Sequence, residues 1–528
     1  MLKSLIPFDR VHQLAKTDIA YAIGDRTLAP FYKYDLNNEA FRRVIADKSQ
    51  AKIPRETLVQ VLEKQYQNLP GNALTLESIR VLGEANTFTV TTAHQPCLFL
   101  GPLYFIYKAL TTINLAEAAL GLVSGSYRVV PVFVLGSEDH DLEEVNHTTL
   151  FGKRLEWQPG LSGPVGDLPT DSLAPLLERL RVILGEGNNA EAMFARVQRA
   201  YDGKRTFAEA TQALLHDLFG RFGLVVLNMN DPALKRHFIP IMRAELTEQP
   251  SFKLVSETTE RLNALGFKTQ AAPREINLFY MKPGLRERIV LENDTYRVLN
   301  TDLAFNRAEI LAELEAHPEH FSPNVVLRPL FQETILPNLA YVGGGGELAY
   351  WLERKSLFEH FGVNFPLLVR RNSVVWLDRD AVRRLQRFGF SSARIFDDTE
   401  TLIKTFIENN ADAEVNLSLE IADLRRVFNR VAEKAEAIDP TLVNAVRADE
   451  VKFADALAHW QSRLLRAEKA KHEVTINQIR VLKERLFPGG GLQERHDNFM
   501  QFYLRLGEQF FNELKEKLLP LERGFVVL

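Results

Sequence analysis

Two apolar runs of strand length, each ending in a polar cluster, restrict this chain more than any other feature. Residues 87–93 read TFTVTTA, rich in β-branched side chains, and give way to HQPCLFL and a helix expected to open at Gly101 and Pro102. In that helix Leu103, Ile106, Tyr107, Leu110, Ile113 and Ala116 recur mostly at three-residue spacing and make one buried face. Residues 127–137, YRVVPVFVLGS, are a near-continuous apolar run, as expected of a parallel strand covered on both faces, and they deliver SEDHDLEEVNH.

The order strand, polar loop, helix recurs. FAEATQALLHDLFGRFG leads to LVVLNMND, and VVLRPLFQETILP leads through YVGGGGE into ELAYWLERKSLFEHFG. Helices over 37–70, broken at Pro54, precede the first strand. A doubly wound α/β sheet with a parallel core is the economical reading. The stretches at about 150–205 and 240–320 mix short strands such as RIVLEN and TYRVLN with helices, and read as inserted subdomains flanking a pocket. The α/β body is expected over 1–375.

From about 414 the pattern changes. Ile421, Leu424, Phe428, Val431, Ala435 and Ile438 form a heptad seam among charged residues, and Asp439 and Pro440 are placed to end that helix and start the next. Phe453, Leu457, Trp460 and Leu464, then Ile479, Leu482 and Leu486, supply a return seam that Pro488 and three glycines stop. An antiparallel coiled-coil hairpin is expected within a helical region at 376–488, and 489–528 is expected to return to the core. A single helix over 441–486 would be about 70 Å long. The apolar stripe serves either an intramolecular hairpin or, as the preferred reading, the pairing of two copies.

Composition excludes several classes. With 64 basic and 68 acidic residues the formal charge is -4, which gives no overall reason to bind nucleic acid or an anionic membrane. The lone cysteine, Cys97, excludes a disulfide framework and fits a reducing compartment, with the cytoplasm as default. Asp9, Arg10 and His12 interrupt the apolar stretch a signal peptide needs, and no run approaches the roughly 20 apolar residues of a membrane span.

Three clusters carry chemistry. His94 and Gln95, with Gly101, Tyr104 and Lys108 beyond them, stand where a strand end meets a helix N-terminus, a place that favours phosphate or carboxylate; the competing reading is an ordinary turn with a structural histidine. Glu138, Asp139, His140 and Asp141, with Asn146 and His147 close behind, are oxygen and imidazole groups suited to binding or to general-base work. The competing reading is a solvated acidic helix start. No protein-held metal is expected there, because the spacing does not fix a ligand set. Arg328 and Gln332 precede the glycines Gly343 to Gly346, and Glu347 opens a helix; Gly344 and Gly345 are candidates for an anion nest, although no Walker pattern follows. Cys97 sits in an apolar setting and reads as a small buried side chain.

In combination, TTAHQPCLFLGPLYFIYKAL, VPVFVLGSEDHDLEEVNH, VVLRPLFQETILPNLAYVGGGGELAYW and LFPGGGLQER resemble, in order and over nearly the whole chain, the BshC family of bacillithiol biosynthesis. The resemblance implies a Rossmann-like core with inserted connecting subdomains and a coiled coil that pairs two subunits into a homodimer. It also implies the ligation of cysteine to glucosaminyl malate. The family pattern commonly has no cysteine where Cys97 stands, which argues against a shared nucleophile. ATP, with Mg²⁺ as its counter-ion, is the expected activator. His94, Gln95 and the amides near Gly101 are expected to stabilise developing negative charge, Asp139 or His140 to accept a proton, and Arg328 to hold carboxylates or phosphate. Two other classes fit the same residues: a non-catalytic nucleotide- or sugar-binding scaffold, and another ATP-dependent ligase or nucleotidyltransferase.

Overall fold

The structure, a computed structural model, describes residues 3–122, 127–411 and 416–528; the change of pattern expected at about 414 lies outside them. Five parallel strands form the central sheet: β1 (Thr87–His94), β2 (Arg128–Leu135), β3 (Val225–Asn228), β4 (Asn338–Gly343) and β5 (Leu367–Arg370). Their spatial order is β5-β4-β1-β2-β3. The chain builds outward from β1 to β3 on one side and then to β5 on the other, so the direction of winding reverses between β1 and β4.

Burial on both faces explains the near-continuous apolar runs. Val130, Val132 and Val134 of β2, with Tyr341 of β4 and Leu368 of β5, enter one buried cluster. Phe88 and Val90 of β1, Val129, Ala340, Val342, Leu367 and Val369 enter another, as the two-residue period of a strand requires. Pro131 is tolerated inside β2 because pairing with β3 begins only at Val132. The helix α1 (Tyr104–Leu122) follows β1. It starts three residues later than the sequence suggests, because Phe99, Leu100 and Gly101 all take positive φ in a tight turn. VVLRPLFQETILP is no strand: Arg328–Ile335 forms the helix α2, the strand is NLAYVG (β4), and Gly345–Leu352 forms α3.

Between β2 and β3 lie a two-stranded ribbon (His147–Leu150 with Lys153–Glu156) and the helices Ala174–Leu184 and Asn188–Ala200. Between β3 and β4 stands a five-stranded antiparallel sheet built from Leu278–Lys282, Leu285–Glu292, Thr295–Val298, Ala304–Phe305 and Phe321–Pro323. The larger compact unit runs to Val375 and takes in Gln493–Val526. Within it Arg371 forms a two-pronged ion pair with Glu494, at 2.7 and 3.0 Å, both side chains buried. Removing one partner of such a pair typically costs about 3–5 kcal/mol.

The smaller unit is Trp376–Leu492 with Val527–Leu528. Its helices α4 (Ser418–Ile438) and α5 (Val443–Lys471) form the hairpin, and the Oδ1 of Asp439 accepts the Thr441 N–H at the turn, as expected. The return is two helices, because the chain breaks at His472 before α6 (Glu473–Leu486). The seam inside the hairpin also differs from the reading above. Ala432, not Val431, is the buried position on α4, whereas Val431, Ile438, Phe453, Trp460 and Leu464 keep 44, 83, 56, 52 and 39% of their surface. On α4 Ile421, Leu424, Phe428 and Ala435 are partly shielded as expected, with Phe428 against Phe453 of α5, whereas Val431 and Ile438, one heptad apart, make a short outward stripe. No helix among the described residues is long and apolar enough to cross a membrane.

Candidate functional site

Each of the five strands ends in residues that line one cleft of about 690 Å³. β1 supplies Ala93 and His94 and leads to Gln95. β2 supplies Leu135 and leads to Gly136 through His140, β3 to Met229 and Asn230, β4 to Gly344, Gly346 and Glu347, and β5 to Arg371. The cleft therefore lies at the carboxyl ends of the strands, beside the reversal between β1 and β4, where open α/β sheets bind ligands. The antiparallel sheet adds Phe279, Arg286 and Arg288 as a facing wall.

At the switch point, Lys108 of α1 reaches the Ala93 carbonyl at 2.6 Å and Glu347 of α3 at 2.7 Å. Glu347 also accepts from the Gly344 N–H at 2.8 Å and the Tyr341 hydroxyl at 2.7 Å. Burial would raise its pKa, but the Lys108 ammonium and these donors hold it below the usual carboxylate range. The pair is a fixed strut of the cleft floor. Gly345 is needed for packing, since a Cβ there would meet Asp18 Cγ at 2.0 Å. None of the four glycines takes a positive φ, so the expected backbone nest does not form; a capped helix start stands in its place.

His94 is neutral. Burial, with Lys108 nearby, pushes its pKa down to about 4. Its Nδ1 lies 3.0 Å from the Gln95 carbonyl, which only an N–H can satisfy, so Nε2 accepts from the Tyr104 hydroxyl at 2.9 Å. With both nitrogens engaged, His94 orients Tyr104 rather than meeting an oxyanion. The amides near Gly101 are engaged as well: Gly101 donates to Leu98 O and Leu103 to Asp497 O, while Asn498 Nδ2 donates to the Gly101 carbonyl. Gly101 lies outside the cleft lining and packs on Cys97, whose thiol burial pushes up to about 12. Burial of the thiol therefore works against a thiolate nucleophile at neutral pH.

The acidic run after β2 divides at a short helix, Leu142–Val145. Before it, Glu138, Asp139 and His140 face the cleft. Asp139 Oδ2 accepts from Gln95 Nε2 at 3.0 Å, and its Oδ1 accepts the His140 N–H at 2.8 Å. Glu138 pairs with the buried Lys235 and accepts from Ser322 at 2.8 Å. Arg286 donates to Ser322 at 3.1 Å, to His140 Nδ1 at 2.6 Å and, at the limit, to Asp139 at 3.5 Å. Beyond the helix, Asn146 caps its end and His147 opens the ribbon, and Asp141 stands at the helix start; none of the three lines the cleft. Gln332 is buried against β1 and outside the cleft lining, donating to Thr91 and Glu333.

Arg328 does reach the cleft. It contacts only neutral groups, Gln332 at 3.3 Å and Tyr350 at 2.9 Å. Among the described residues Arg274, Arg288 and Arg495, also in the lining, make no ion pair. The cleft thus holds four guanidinium groups without carboxylate partners, a lining made for a polyanion. Arg286 and Arg288 escaped notice although two residues apart in LRERIVLE, on one face of their strand.

Residues 4–372 match the family described as bacillithiol biosynthesis BshC, N-terminal Rossmann-like domain, and residues 374–528 match its C-terminal coiled-coil domain. A protein of Flavobacterium johnsoniae is 41% identical over 95% of this chain and 94% of its own length. One of Christiangramia forsetii is 38% identical over 100% and 99%, and one of Bacillus mycoides 27% over 94% and 95%. Each of these relatives carries the name "Putative cysteine ligase BshC".

Proposed function

The chain belongs to the BshC family of bacillithiol biosynthesis, and on that premise we propose that it is a cysteine ligase joining cysteine's carboxyl to the amine of glucosaminyl malate. The reading is supported above all by the four guanidinium groups that lack ion-pair partners in a cleft at the strand ends. The malate carboxylates and the phosphates of a nucleotide are the anions such a lining suits. Arg328, the one held by Tyr350 and Gln332, is the anchor for one of these.

A carboxylate resists amine attack until one oxygen becomes part of a leaving group, so ATP is the co-substrate of this proposal: a carboxylate oxygen bonds to its α- or γ-phosphorus as the bridging P–O bond breaks and pyrophosphate or ADP leaves. The amine nitrogen then attacks the activated carbonyl. The C–N bond forms, the bond to the phosphorylated oxygen breaks, and AMP or phosphate departs with one proton released from nitrogen. Asp139 is the acceptor for that proton. Gln95 orients its carboxylate and leaves it half exposed to the cleft. His140 does not compete for this role. Its Nδ1 already accepts from Arg286, which leaves Nε2 as the N–H donor. The proposal further places the ligase in the cytoplasm and pairs two copies through the outward stripe of the hairpin.

The test is incubation of purified protein with cysteine, glucosaminyl malate and ATP-Mg²⁺, with thiol product and nucleotide followed by mass spectrometry. AMP identifies an acyl adenylate and ADP an acyl phosphate. Asp139→Asn should lower kcat about 10²- to 10⁴-fold with little change in KM. Saturable binding of the substrates without turnover would sink the ligase reading.

A further inference from the structure

The turn before the last strand of the antiparallel sheet reads His317-Pro318-Glu319-His320. Pro318 opens a three-residue 3-10 turn, in which side chains three apart eclipse one another. The His317 and His320 rings are accordingly stacked, with centroids 4.8 Å apart and planes within 22°. Glu319 lies beside them, its Oε1 3.1 Å from His317 Nδ1. One donor atom from each of the three lies within 4.8 Å of the others.

The surroundings match a metal's outer shell. His320 Nδ1 lies 2.7 Å from Glu313 Oε1, which also accepts the Tyr280 hydroxyl at 2.6 Å. A ligating histidine typically donates its second N–H to such a carboxylate, which fixes the tautomer and turns Nε2 outward. Glu313 and Glu319 together balance a divalent charge. The buried Lys235 meets the backbone carbonyl of Glu319 and is otherwise taken by Glu138, while Lys282, 5.3 Å from the Tyr280 ring centroid, acts on Glu313 from a distance. Tetrahedral zinc, with bonds near 2.0–2.1 Å, would set its ligands about 3.4 Å apart. The half-exposed His317 is free to close that gap.

We propose that His317, Glu319 and His320 form a site for a divalent transition metal of the zinc class, oriented by Glu313 and completed by water. Imidazole donors select such an ion over Mg²⁺. The site lies outside the cleft, but Ser322, two residues beyond His320, contacts both Glu138 and Arg286 in its wall. A bound ion therefore clasps the turn that leads into that wall. From the sequence no protein-held metal is expected, since the spacing of the polar cluster after β2 fixes no ligand set.

The experiment is Co²⁺ titration of the tag-free full-length protein, read by visible absorption, followed by displacement with Zn²⁺. One equivalent per chain is expected. His317→Ala, on the surface and safe for folding, should weaken it at least tenfold, and Glu313→Gln about 10- to 100-fold. Thermal unfolding of each variant checks that the fold is kept. No binding in the millimolar range, or unchanged binding in His317→Ala, would overturn the site.

Discussion

Arg286 donates a guanidinium N–H to His140 Nδ1 across 2.6 Å, and this contact decides which nitrogen of the histidine carries the proton. The same side chain holds Ser322 and stands over the Phe279 ring at 4.0 Å. Lysine keeps the charge but cannot serve these partners together. Arg286→Lys should therefore lower kcat/KM about 10- to 100-fold, the equivalent of one or two lost hydrogen bonds to a charged group. Steady-state kinetics of the ligation, with a melting curve as control, checks this.

Among the described residues Arg328 makes no ion pair, and Glu347 acts on it only from beyond contact distance. Arg328→Lys should raise KM for the anionic substrate about tenfold and shift the melting temperature by no more than a few degrees. Equal loss of folding and binding would return Arg328 to a structural role.

His94 makes stability depend on acidity. Its pKa of about 4 in the folded chain is below the ordinary value of 6.5, so the unfolded state binds the proton more readily between them. The contribution is complete above pH 6.5 and is lost as the pH falls towards 4, with a size on the order of 1–3 kcal/mol. Denaturant unfolding across pH 4–7 should show a shallower slope in His94→Asn than in the parent.

Cys97 is a packing residue. Cys97→Ala should leave turnover within about threefold and cost about 1 kcal/mol of stability. A loss of a hundredfold or more, with the fold intact, would make the thiol chemical after all.

The outward stripe of the hairpin calls for a partner face. Introducing Val431→Glu with Ile438→Glu should convert a pair of chains to single chains, because two charges would then stand in a desolvated seam. Light scattering at two concentrations distinguishes the outcomes.

The parallel core was legible because burial on both faces leaves a mark that no solvated strand carries: VVPVFVL is explicable in few other ways. The residues just beyond β1 and β2 were legible for the same reason, and His94, Gln95 and Asp139 all reach the cleft. What failed was direction. Asn146 and His147 share the polar composition of Glu138 and Asp139, but a single helical turn lies between them and sends the chain into a ribbon. Gly101 looked like a site for close approach of a ligand, and its space is taken by Cys97. On the hairpin, Val431 and Ala432 differ by one position, about 100° around a helix, and hydrophobicity favoured the larger residue although the smaller one packs. Arg495 closes the LFPGGGLQER segment that carries the resemblance, but nothing local assigns it to the cleft, which it reaches only through the return of a distant segment.

That return sets an order in time. Asp497 accepts from Leu103 at 2.8 Å, Asn498 braces the turn at Gly101, and Glu494 neutralises Arg371. All three emerge from the ribosome only after the whole hairpin. A nascent chain can assemble its five strands early, yet its cleft stays unbraced until the hairpin has been made and the return segment follows it. The long interruption adds little to the closure entropy, roughly 0.6 kcal/mol per doubling of the loop. Its effect is on scheduling: a chain stalled within the hairpin already has its strand-end carboxylates but not the residues that pair with Arg371 and brace the Gly101 turn.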